Sequence, residues 1–109
     1  MRNIVVHQVV QARGEANRIE LLVVRGVAFG LKQLEVSVRG ERGSPTKVRV
    51  ETAPDGEFRA AFDNGTALRD AGCVCGATVH ARVADANDPE GCYSSIETRL
   101  VCNSPERIA

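Results

Sequence analysis

Four cysteines are the side chains best able to do chemistry in this 109-residue sequence: Cys73, Cys75, Cys92 and Cys102. In so short a chain an even number of cysteines implies disulfides and an oxidising compartment, whereas a reducing compartment would imply free thiols or a metal. If the stretch near Asn87 closes a regular hairpin, facing residues have numbers that sum to about 175 to 177, which sets Cys102 opposite Cys73 or Cys75. A bridge there would stabilise the fold by about 2–4 kcal/mol. Cys92 lies near the other end of the same hairpin, roughly eight residues and 25–30 Å away at about 3.3 Å per residue. Three readings of it stay open: a folded-back loop that changes the register, a free thiol, or a bridge to another molecule. Cys73, Cys75, His80 and Cys92 also have the composition of a zinc set. Strand alternation, however, aims the first two sulfurs inward and the imidazole outward. The same inward parity argues against a redox role for Cys73 and Cys75, which would need an exposed thiolate of lowered pKa.

Oxygen ligands gather at Asp85, Asn87, Asp88 and Glu90, a composition that suits Ca²⁺. Asp85-Ala86-Asn87-Asp88 resembles the D-x-N-D calcium segment of cadherins, and an Asn-Asp-Pro turn accounts for the same residues with no ion. No cofactor is otherwise implied. Acid–base catalysis needs two convergent groups, yet Glu35, Glu51, Glu57 and Glu97 take outward strand positions. His7 and His80 fall on separate strands, and no serine sits in a nucleophile elbow. The glycines at 26–30 and 40–43 lack the Lys-Ser/Thr ending of a phosphate loop. The expectation is therefore not an enzyme.

The elements that must position these residues read as strands. Fifteen valines against three phenylalanines, one tyrosine and no tryptophan give a core of branched aliphatics, which favours β structure. Period-two alternation runs through 4–10, 19–29, 34–39, 47–51, 57–62, 73–83 and 95–102. Turn residues separate these runs at 14–17, 40–45, 54–56, 63–72 and 85–91. The runs 47–51 and 57–62 read as a hairpin around Pro54-Asp55-Gly56, and 66–71 has room for one helical turn. Seven short strands at this spacing predict an all-β, antiparallel two-sheet sandwich of immunoglobulin-like or fibronectin-III-like type. One domain fills 1–109, with an N-terminal strand or extension at 1–17, the sandwich at 18–102 and a tail at 103–109.

Three stretches resemble the bacterial immunoglobulin-like (Big-type) domains of surface adhesins and phage structural proteins. Val24-Arg25-Gly26-Val27-Ala28-Phe29-Gly30 followed by Leu34 to Val38 looks like that family's G-x-A turn into a V-x-V strand. Ala53-Pro54-Asp55-Gly56-Glu57-Phe58 resembles its D-G-x-aromatic hairpin. Ala77 to Asp85 resembles its T-V-x-A-x-A-x-D strand. The resemblance covers roughly 18–96 and departs from the family in its cysteines. It implies a structural or adhesion module on a virion or cell surface, bound to other proteins or to copies of itself in an oligomer, shell or fibre.

Charge and hydropathy agree with that class. Fourteen Lys and Arg balance fourteen Asp and Glu, which removes the basic excess that nucleic acid or anionic lipid would attract. Apolar runs of three or four residues are far short of the roughly 20 that span a bilayer. Straight alternation through 19–29 puts Ile19, Leu21 and Val23 inside, which leaves Leu22 and Val24 outward, with Ala61, Val74 and Val101 outward elsewhere. An apolar outer face is a candidate partner surface; the alternative is that the N-terminal extension or a strand bulge covers these residues. The alternative function is ligand binding at the 85–91 loop, with or without Ca²⁺.

Overall fold

A computed structural model describes residues 3–13 and 18–101. The turn at 14–17, Cys102 and the tail at 103–109 lie outside the described residues. Among those described, the chain forms seven strands and one short helix: β1 (Asn3–Arg13), β2 (Ile19–Phe29), β3 (Gln33–Arg39), β4 (Thr46–Glu51), β5 (Glu57–Phe62), α1 (Gly65–Asp70), β6 (Thr78–Asp85) and β7 (Tyr93–Arg99). Two antiparallel sheets result, three-stranded β1-β2-β5 and four-stranded β4-β3-β6-β7. The all-β two-sheet architecture is as the alternation predicts.

Between the sheets lies one core. Val36, Val38, Val79, Ala81 and Val83 from the four-stranded sheet are fully buried, as are Leu22, Val24 and Ala60 from the three-stranded sheet. Phe58 and Phe62 belong to the same cluster. Gly26 shows how tight the packing is, because a Cβ there would run into the Phe58 ring and the carbonyl oxygen of Val5. One end is closed by α1, whose Leu68 is fully buried. Asn64 starts this helix by accepting the Ala67 N–H at 3.1 Å on its side-chain oxygen, the usual way of satisfying an orphan donor in the first turn.

Strands β4 and β5 are a correction to the expected hairpin. The turn between them is tight, with Gly56 N–H donating to Ala53 O and Ala53 N–H to Glu57 O. After it the chain changes sheets: β4 pairs with β3, and β5 pairs with β2. The apolar faces explain the switch, since Val48 and Val50 pack on the core from one side and Phe58, Ala60 and Phe62 from the other.

The strand expected over 73–83 begins only at Thr78. Gly72 and Gly76 both hold positive φ, 82° and 84°, a conformation that glycine adopts without strain and that breaks an extended run. Gly72 has a second duty, because its Cβ would strike the Arg42 carbonyl where the 40–45 and 71–72 segments cross. The following hairpin is regular. Thr78 faces Arg99 and Ala84 faces Tyr93, each pair of numbers summing to 177, within the expected range.

Candidate functional site

Two β-bulges decide which residues the three-stranded sheet shows to solvent. Val6 pairs with Gly26 and Gln8 with Arg25, so His7 is an extra residue on β1. Ala12 pairs with Leu21 and Arg13 with Ile19, so Glu20 is an extra residue on β2. Each insertion moves every following side chain to the opposite face. Leu22 and Val24, expected outside, are therefore 0% exposed and central to the core. That corrects the interface expectation for both. On β1 the same effect turns Val9 inward and leaves Val10 outward.

The outer face of this sheet is nevertheless apolar, built from a different set. In the register Val10 lies beside Val23 and Val23 beside Ala61, while Val5 lies beside Val27. Val5 and Val10 are each 40% exposed and Phe29 is 50% exposed. Leu21, Val27 and Ala61 are half-buried. Of the expected interface residues, Ala61 belongs to this face, whereas Val74 and Val101 are exposed in the segments flanking β6 and β7.

Across the middle of the apolar face runs a charged row. Gln8, Arg25 and Arg59 are cross-strand neighbours, with Arg25 directly opposite Arg59. Like charges at that spacing are destabilising. Neither arginine forms an ion pair within the described residues. Both are exposed, as is His7 at the bulge, and a hollow of about 360 Å³ lies among His7, Gln8, Arg25, Glu57 and Arg59.

The outer face of the four-stranded sheet pairs some of its charges internally, while Arg39, Arg49 and Arg99 stand exposed on it. Lys47 Nζ lies 3.6 Å from Glu35 Oε1, and His80 Nδ1 lies 3.3 Å from Glu97 Oε1. The Arg82 guanidinium stacks 4.4 Å from the centroid of the Tyr93 ring and donates to Pro89 O at 2.6 Å. His80 points away from the core, as strand parity requires, and among the described residues no sulfur forms a metal-binding group with it.

At the end of the sandwich carrying the 30–32 and 52–56 connections there is a broad, open depression of about 920 Å³. Phe29, Leu31, Lys32, Glu51, Asp55 and Asn87 are among its lining residues. Asn87 is the one member of 85–91 that reaches it. One carboxylate oxygen each of Asp85 and Asp88 accepts from the backbone of the loop itself. Asp85 is buried and accepts Asn87 N–H at 3.0 Å, and Asp88 accepts Gly91 N–H at 3.2 Å. Glu90 is exposed. No three His, Cys, Asp or Glu side chains converge on a common point among the described residues.

Cys73 and Cys92 carry free thiols, and no two of the described cysteines lie at bonding distance from each other. Cys75 is half-buried and is not among the free thiols. Burial pushes the Cys73 thiol from about 9.0 up to about 11, so it is protonated and poorly nucleophilic at neutral pH. Cys92 packs against the core. Among the described residues no helix is long and apolar enough to cross a membrane. Comparison with protein-family models, with curated proteins and with solved structures finds no match.

Proposed function

We propose that this chain is a non-catalytic structural or adhesion module. It attaches through its sheet faces and loops to copies of itself or to a larger assembly, outside the cell on a bacterial surface or on a virion. The observation that carries the reading is the outer face of β1-β2-β5, where Val5, Val10 and Phe29 stand exposed beside Leu21, Val23, Val27 and Ala61. Exposed apolar side chains grouped on one face of a small domain, here in two bands on either side of the Gln8, Arg25 and Arg59 row, mark a candidate interaction surface.

The two antiparallel sheets are compatible with an immunoglobulin-like, fibronectin-III-like or Big-type sandwich, although the strand order departs from one of these arrangements. In the constant-type immunoglobulin arrangement the fourth strand extends the sheet of the first; here β4 lies beside β3. Ligand binding at 85–91 draws less support, because Asp85 and Asp88 direct carboxylate oxygens at their own loop.

A photo-reactive phenylalanine analogue at position 29, introduced in the native host, tests the attachment. A discrete covalent adduct with another protein chain is the expected result. Loss of that adduct pattern, with cross-linking no stronger than at exposed Lys32 on the loop end, would count against attachment through this face.

A further inference from the structure

We infer that the outer face of the three-stranded sheet docks a protein partner that presents a carboxylate flanked by apolar side chains. The inference deepens the attachment reading and rests on it. Arg25 and Arg59 stand opposite each other at the centre of the face, and neither has an ion-pair partner in the described structure. Two unpaired guanidinium groups side by side form a fork that an incoming carboxylate can satisfy with charge-assisted hydrogen bonds. His7 lines the same hollow, and Glu57 is its one acidic residue. Below this row lie Val5, Val27 and Phe29, with exposed Glu57 opposite Val27; above it lie Val10, Ala61 and the buried Val23 between them.

That order of apolar, cationic and apolar bands defines the complement, an acidic residue between apolar ones. A second copy seated on this face with a two-fold axis through the row would bring arginine against arginine, so the charge pattern disfavours self-docking there.

The test is an NMR titration of the whole chain with two soluble heptapeptides. One has a central glutamate flanked by valines and leucines, and its twin has lysine at the centre. The expected result is movement of the Val10, Arg25, Phe29 and Arg59 amide signals with the glutamate peptide, and binding at least tenfold tighter than that of the lysine twin. That preference should vanish in the Arg25→Gln/Arg59→Gln variant and reverse in Arg25→Glu/Arg59→Glu. Both sites are exposed, so folding is checked by the unchanged signals of core residues Val36 and Val83.

Equal binding of the two peptides, or signals moving on another face, would overturn the inference. So would concentration-dependent shifts of these residues without peptide, which would mean that a second copy occupies the face. If the peptides fail while the photo-reactive group at position 29 still captures a protein chain, carboxylate recognition falls and attachment stands. If both fail, the attachment reading falls as well.

Discussion

Truncating two adjacent leucines separates the bulged strand from a straight one. With Glu20 looped out as an extra residue, Leu22 enters the core at 0% exposure and Leu21 sits half-buried on the outer face. Leu22→Ala removes a fully enclosed side chain among close-packed neighbours, which costs about 2–5 kcal/mol through lost transfer energy and the cavity left behind. Leu21→Ala withdraws roughly half of a leucine side chain from its cover and leaves no closed cavity, a loss of about 1 kcal/mol. A domain of this size loses about 4–8 °C of melting temperature per kcal/mol. Leu22→Ala is then expected to melt at least about 8 °C lower than wild type, and Leu21→Ala lower by about 4–8 °C. Urea unfolding of both variants under reducing conditions, with slopes compared to confirm two-state behaviour, gives the free energies directly. A Leu21→Ala cost equal to or larger than that of Leu22→Ala would show that the bulge is absent and that the straight register holds.

Other expectations follow from particular contacts. Cys73 and Cys92 are free thiols, whereas Cys75 is not among the free cysteines. A Cys75–Cys102 disulfide is therefore expected in oxidised protein, and a thiol count after denaturation without reductant should find two free thiols; four would refute it. The folded Cys73 thiol holds its proton up to about pH 11, whereas in the unfolded chain it ionises near 9.0. Stability from this group is intact below about pH 9 and falls as pH rises toward 11, by up to about 2–3 kcal/mol. Cys73→Val should flatten that slope relative to wild type in urea titrations at matched pH. Asn64→Ala removes the cap on α1 and should cost about 0.5–2 kcal/mol, read as a lower melting temperature; no change would mean that the helix is held by Leu68 alone.

Sequence alternation is a good guide wherever a strand is unbroken. Leu34, Val36 and Val38 on β3, and Val79, Ala81 and Val83 on β6, face the core as their parity requires. It fails on β1 and β2, because one extra residue in a strand leaves composition and hydropathy untouched while reversing every side chain beyond it. His7 and Glu20 carry no sequence mark of their bulges, so Leu22 and Val24 read as outward. Glycine gives the other lesson. Gly76 interrupts an apparently ideal alternation from Cys73 onward, and its positive φ was open to inference from residue type alone. The unpaired Arg25 and Arg59 escape sequence reading altogether, since they become neighbours only when β5 leaves β4 and pairs with β2.

The most direct test of the central claim, attachment through the outer face of β1-β2-β5, is the photo-cross-link from position 29 in the native host. The account expects one dominant adduct whose yield drops at least several-fold when Val10 is replaced by aspartate, with the fold intact by circular dichroism. An adduct pattern that is unchanged in Val10→Asp, or that is matched from exposed positions on the four-stranded sheet, would contradict it.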